Sequence, residues 1–168
     1  LLFYVFVYSV LLKRTTTQNI VIGGAAGAVP VLVGWAAVTN TVELPAWIMF
    51  AIVFFWTPPH FWALAIRYRE DYERAGVPML PVVVGEKRAM DHMLAYTVVL
   101  VGTTLCLYAT GPVGWLYLVI AAIAGIAFLG ATWVLRDHPE AAMKYFGYSN
   151  VYLSVIFLAI AVDVLVLG

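Results

Sequence analysis

Charge is scarce in this sequence. Only 11% of its 168 residues are Asp, Glu, Lys or Arg, where a water-soluble domain carries about a quarter. So few charges could not cover the outside of a fold in water, and a soluble globular domain is excluded. Cysteine is nearly absent: Cys106 stands alone, so no disulfide and no cysteine metal cluster can form within the chain. Net charge is also absent, with nine Lys and Arg against nine Asp and Glu. That removes any overall pull toward nucleic acid and leaves the placement of charge to carry the information. Internal repeats, low-complexity tracts and any linker long enough to separate domains are missing, so residues 1–168 read as one domain.

What fills the sequence is apolar. Hydrophobic residues make up 64% of it, and the mean hydropathy is +0.97. Five runs, over residues 20–38, 46–66, 93–110, 115–135 and 149–167, are each long enough to cross about 30 Å of hydrocarbon as a helix. Helices are the form expected there, because backbone groups in lipid must pair within their own segment. The fold class is therefore all-α, a polytopic membrane helical bundle. An earlier run, residues 1–12, would rise only about 18 Å as a helix. It reads as the end of a span whose first turns precede the chain.

The connections alternate in character. Residues 39–45 and 111–114 hold no Lys or Arg, whereas residues 13–19, 67–92 and 136–148 hold all nine. Cytoplasmic loops attract Lys and Arg. The basic connections are therefore expected on the cytoplasmic side, most simply of a bacterial inner membrane, with the C-terminus outside. Trp47, Trp115 and Trp133 fall where interfacial tryptophans belong. Thr15 to Thr17 and Ser149-Asn150 are expected to cap helix starts. Gly23, Gly24 and Gly27 put small residues on one helix face, including Gly23-x-x-x-Gly27, and are expected to let α-helices approach closely. Pro58-Pro59 is expected to interrupt its span, since each proline removes a backbone donor.

Residues 67–92 form the one long connection. They carry Glu70, Asp71, Glu73, Glu86 and Asp91 interleaved with Arg67, Arg69, Arg74, Lys87 and Arg88. Carboxylates beside a membrane suit Mg²⁺, a hard ion that takes one or two of them plus phosphate oxygens of a substrate. Neighbouring Arg and Lys would hold the remaining phosphate charge. A solvated surface with mutual ion pairs would show the same composition. Pro78 and Pro81 are expected to keep the apolar stretch 76–82 out of regular helix. His60 follows the proline pair inside a span, where ionisable groups usually face an interior. It is either a contact to a polar or metal-bearing substrate or a neutral histidine bonded to a freed carbonyl. Lys13 and Arg14 either snorkel to headgroups or reach the same inner cavity. Asp163 is close enough to the outer interface to reach water. His92 and His138 read as ordinary polar loop residues.

Three strings resemble a known family: Leu12-Lys13-Arg14-Thr15 with Asn19-Ile20-Val21-Ile22-Gly23-Gly24-Ala25-Ala26-Gly27-Ala28; Trp56-Thr57-Pro58-Pro59-His60-Phe61-Trp62; and Asp71-Tyr72 with Ala75-Gly76-Val77-Pro78-Met79-Leu80-Pro81-Val82-Val83. They are similar to the protohaem IX farnesyltransferases, a branch of the UbiA superfamily of intramembrane prenyltransferases. The resemblance implies a bundle of nine helices, of which this chain would hold the truncated fourth and the fifth to ninth. Residues 1–168 would then be the C-terminal portion of a transmembrane prenyltransferase domain and inactive alone. It implies transfer of farnesyl from farnesyl diphosphate to a vinyl group of haem b, making haem O, with Mg²⁺ as cofactor. Its implied site residues are Glu70 and Asp71 for catalysis and Mg²⁺, Lys13, Arg14, Arg67 and Arg74 for the diphosphate, and His60 and Asn19 as haem or cavity contacts. Implied partners are the two substrates, the lipid bilayer and, beyond them, haem A synthase or oxidase-assembly proteins, with no nucleic acid. The family's spaced Asp-x-x-x-Asp pair is missing: the matching stretch is Tyr68-Arg69-Glu70-Asp71-Tyr72. Two other readings are a prenyltransferase acting on an aromatic or quinone precursor, and a non-enzymatic transporter or scaffold.

Overall fold

The computed structural model of the chain describes residues 16–167, the last by its backbone alone. The expected span at residues 1–12 lies outside them. Every regular element among the described residues is helical. Five long helices dominate: α1 (Asn19–Thr39), α2 (Leu44–Arg67), α5 (Glu86–Cys106), α6 (Trp115–Leu135) and α7 (Ala142–Leu167). Two short ones, α3 (Arg69–Arg74) and α4 (Leu80–Val84), lie between α2 and α5. All five long helices are long and apolar enough to cross a membrane. α2 is the hub, packing on α1, α5 and α7, while α6 closes against α5 and α7. Large side chains such as Ile123, Ile126, Val134 and Leu158 point outward, as they must when lipid is the solvent.

Helix order puts the connections alternately at two ends of the bundle. Every Lys and Arg among the described residues falls at one end, here the basic end. Two helices begin there earlier than their apolar runs suggest. α5 starts at Glu86 rather than at residue 93, and α7 at Ala142 rather than at residue 149. The first two turns of α5 are polar, and residues there make ion pairs: Arg136 donates to Asp91 at 2.5 Å, and Lys87 lies 3.7 Å from Asp137. The pairs tie the start of α5 to the α6–α7 turn.

Proline behaves less disruptively than expected. Pro58 and Pro59 sit inside a continuous α2, not at an interruption. Two ladder bonds are lost there. Both prolines are buried, and packing against three neighbouring helices holds the segment. Pro81 does not prevent a helix either, because it occupies the first turn of α4, where a missing N–H is tolerated. The expected caps differ as well. Thr16 Oγ1 accepts the Gln18 N–H at 3.1 Å in a turn before α1, but Gln18 itself precedes the helix without a side-chain cap. Ser149 is interior to α7, so it starts no helix.

Of the glycines expected on one face, Gly24 rather than Gly27 makes the close approach of α1 to α2. Gly24 and Ala28 are the buried positions, and a Cβ on Gly24 would lie 3.2 Å from the Thr57 side chain. A Cβ on Gly27 would meet nothing. One residue is about 100° of helix rotation, so sequence spacing alone does not say which of two adjacent glycines faces the neighbour.

Polar groups inside the bundle are joined across helices. Thr97 and Thr104, seven positions apart on α5, face Tyr145 and Tyr152, seven apart on α7. The Thr97 and Tyr145 hydroxyls lie 2.8 Å apart, and the Tyr152 hydroxyl donates to Thr104 Oγ1 at 2.9 Å. The Tyr117 hydroxyl of α6 donates to the Thr104 carbonyl at 2.7 Å. At the end opposite the basic one, buried Asp163 of α7 accepts the Tyr117 N–H at 2.9 Å and the Gly114 N–H. A carboxylate thus caps α6 from another helix and meets the positive end of its dipole. Asp163 does not reach outward for water, as its place near the C-terminus had suggested.

Candidate active site

The basic end holds a polar hollow of about 570 Å³ beneath the end of α2. α2 stops at Arg67 because Tyr68 leaves helical geometry (φ −109°, ψ 29°). The chain then re-enters helix as α3, with Glu70 and Asp71 in its first turn and Arg74 in its last, an order that suits the helix dipole. Arg67, Arg69, Glu70, Asp71, Arg74 and Glu86 line the hollow. By contrast, a groove of about 340 Å³ between α6 and α7 is walled by alanines, valines and aromatics and offers little polar chemistry.

Four of the site residues expected from the sequence therefore come together: Glu70, Asp71, Arg67 and Arg74. Asp71 Oδ1 accepts from Arg74 Nη2 at 2.5 Å, and Arg74 Nε donates to the Glu70 carbonyl at 3.3 Å. The Asp71 and Arg74 side chains are 63% and 75% exposed. An ion pair that wet is worth about 0–1 kcal/mol, so it opens readily to a ligand. The Arg67 guanidinium lies 6.0 Å from the centre of the Tyr68 ring. Among the described residues no set of three or more His, Cys, Asp or Glu is placed to hold a metal ion. Glu70 and Asp71 are hard, exposed oxygen donors. They fit an ion that completes its shell with water and phosphate oxygens, not one caged wholly by protein.

The remaining expected residues lie apart. Lys13 and Arg14 fall outside the described residues. Asn19 is buried at the first turn of α1, where its Oδ1 accepts the Ile20 N–H at 2.6 Å. Beside it, Ile20, Gly23, Gly27, Trp56, Thr57 and Phe61 border a hollow of about 290 Å³ between α1 and α2. His60 is buried in the α2–α7 contact, stacked between Trp56 and Phe146 with both ring centroids 4.1 Å away. Its Nδ1 is 2.8 Å from Ser149 Oγ, and Ser149 Oγ donates to the Phe146 carbonyl at 2.8 Å. With the serine proton directed at that carbonyl, the matching arrangement has His60 Nδ1–H as the donor to Ser149 Oγ. The Trp56 indole also donates to the Ser149 carbonyl at 2.8 Å. His60 thus bonds a serine hydroxyl from α7, not a carbonyl freed by the prolines.

Among the hollow-lining residues that escaped the sequence reading as site residues, two are paired across the connection. Arg69 Nη1 lies 3.5 Å from Glu86 Oε1, and Arg69 Nε is buried without a hydrogen-bond partner. Glu86 follows Gly85, whose φ of +86° turns the chain into α5. That positive φ is a position favouring glycine. The only signal in the sequence was a glycine just before an acidic residue.

The UbiA prenyltransferase family profile matches residues 1–159. Among curated relatives, "Protoheme IX farnesyltransferase 1" of Saccharopolyspora erythraea is 54% identical over 97% of this chain and 53% of its own length. "Protoheme IX farnesyltransferase" of Mycolicibacterium vanbaalenii is 52% identical over 96% of the chain and 52% of its own. The protein of that name from Gloeobacter violaceus is 51% identical over 96% and 54%. The chain spans about half the length of these relatives. No solved structure matches it. Five apolar helices together with the profile match make the chain an integral membrane protein.

Proposed function

Because the chain belongs to the UbiA prenyltransferase family, we propose that it is the C-terminal portion of an enzyme that transfers farnesyl from farnesyl diphosphate to a vinyl group of haem b, with release of diphosphate and capture of the resulting cation by water, making haem O. The observation that carries this is the hollow at the basic end, where carboxylates and guanidiniums converge at the mouth of an apolar bundle. The names of the relatives supply the substrates.

Asp71 and Glu70 are the residues that would hold Mg²⁺, which when bound neutralises charge building on the departing diphosphate. Arg67 and Arg74 bind and orient the same anion, with Lys13 and Arg14 as further candidates. Breaking the Asp71–Arg74 pair frees a carboxylate for the metal and a guanidinium for phosphate in one step. The helices behind the hollow exclude water from the allylic carbon as it loses its leaving group. His60, with Nε2 uncommitted, and Asn19 are the proposed haem or cavity contacts. The basic end faces the cytoplasm of a bacterial inner membrane, by the bias of Lys and Arg. Haem O would pass from there to haem A synthase or to oxidase assembly. The 168 residues alone are expected to transfer no farnesyl.

The test is to express the intact protein in cells that cannot make haem O and to chromatograph the extracted haem. Haem O is the expected new peak. A prenylated aromatic acid or quinone precursor, with haem b unchanged, would refute the haem assignment.

A further inference from the structure

The ion pairs at the basic end are not equivalent, and the difference points to a residue that no motif singled out. Arg74 is committed within its own helix, to the Asp71 carboxylate and the Glu70 carbonyl. Arg69 enters the same hollow with most of its donors unspent. Its Nη1 lies 3.5 Å from Glu86 Oε1 in an ion pair, and no side-chain hydrogen bond is made by Arg69 among the described residues. Its Nε is buried. A guanidinium presents five N–H donors in a rigid fork, and a buried donor left unmade costs about 1–3 kcal/mol. With Nε sealed, the 40% of the side chain that is exposed is what an anion in the hollow would meet.

Glu86 is built to hold this arrangement. It opens α5 directly after the positive-φ Gly85 and reaches back to α3, on the far side of the connection. The Arg69 and Glu86 side chains are 40% and 37% exposed. Both are more sheltered than those of the Lys87–Asp137 pair, at 73% and 66%. Holding Nη1 beside Glu86 restrains the guanidinium, and preorganised donors bind phosphate better than mobile ones.

We propose that Arg69 contacts the diphosphate directly and that Glu86 is its positioning residue. This rests on the reading of the hollow as a diphosphate site. It adds a cation to Arg67 and Arg74 and gives an acidic residue a role other than metal binding.

The test uses the intact protein purified in detergent. It compares Arg69→Gln, Glu86→Gln, Glu86→Asp, the Arg69→Gln/Glu86→Gln double variant and Asp137→Asn. Two quantities are read: binding of inorganic pyrophosphate with Mg²⁺ by calorimetry, and KM against kcat for farnesyl diphosphate. Loss of a charge-assisted contact should weaken pyrophosphate binding and raise KM about tenfold or more in Arg69→Gln. Glu86→Gln should do the same to a smaller degree, and Glu86→Asp should recover some of the loss. The double variant should be no worse than Arg69→Gln alone, because Glu86 acts through Arg69. Asp137→Asn, which removes the same charge from the same end, should leave both readouts within about twofold of the parent, as surface pairs do.

Pyrophosphate affinity within twofold of the parent in Glu86→Gln, or full additivity in the double variant, overturns the positioning role. A parent that binds no pyrophosphate overturns the inference together with the diphosphate reading. Binding with the predicted pattern but no farnesyl transfer to haem b leaves Arg69 and Glu86 in place and removes only the proposed reaction.

Discussion

Asp163 and Asp71 are the same side chain in opposite surroundings, at opposite ends of the bundle. Asp163 is 1% exposed and accepts two backbone N–H groups at the start of α6. Its charge is compensated within the fold, and nothing is left over for a ligand. The Asp71 side chain is 63% exposed, and a wet arginine is its only ion-pair partner among the described residues. Its charge contributes little to stability and can be lent to chemistry. Burial, not residue type, separates the carboxylate that holds a helix from the one left open to a ligand.

Substitutions should break the two ends differently. In the intact protein, Asp71→Asn should lower haem O formation roughly a thousandfold, the scale for losing one electrostatic element of a transition-state site. Its thermal unfolding in detergent should hardly move. A mutant with near-parental turnover at low Mg²⁺ would remove Asp71 from the site. Asp163→Ala should do the reverse, lowering stability by about 3 kcal/mol as two buried N–H groups lose their acceptor. Asp163→Asn, which keeps one acceptor oxygen, should recover some of that. Equal stability of Asp163→Ala and the parent would mean that the cap is ornamental.

Two smaller effects sharpen the contrast by probing the apolar middle. A Cβ on Gly125 would lie 2.7 Å from Val101 Cγ1. Gly125→Ala should therefore cost about 2 kcal/mol through overpacking, and adding Val101→Ala should return some of it. Simple additivity of the two changes would show that α5 and α6 do not meet there. Tyr145→Phe should cost about 1 kcal/mol by deleting the bond to Thr97, with no change in KM for farnesyl diphosphate. A raised KM would connect the polar ladder to the substrate site.

The sequence made some of this plain and hid the rest. Apolar length found all five spans, and alternation of Lys and Arg found the basic end, because both signals are local and the bilayer sets their scale. Glu70, Asp71, Arg67 and Arg74 were found together because they sit within one short stretch. The start of α5 was missed because its first two turns are largely charged, and that of α7 because Lys144, Gly147 and the tyrosines break its apolar run, so hydropathy ends before the helix does. His60 with Ser149, and Asp163 with the start of α6, are partnerships between distant segments, and no periodicity along one segment reveals which neighbour it will meet. Gly23, Gly24 and Gly27 were legible as a small-residue face, but not which of them meets α2, because spacing gives a stripe and not its rotation about the helix axis. Glu86 was visible as an acid, yet its reach back to Arg69 depends on the turn at Gly85.

The most direct check is whether the chemistry lies at the cytoplasmic mouth. Glu73 also lines the hollow. The intact protein, with its native cysteines replaced by serine and carrying Glu73→Cys, would be probed with a membrane-impermeant thiol reagent in inverted and right-side-out vesicles. Labelling is predicted only in inverted vesicles, with protection by pyrophosphate and Mg²⁺. Labelling from the periplasmic side, or labelling that pyrophosphate does not slow, would contradict a diphosphate site at the basic end.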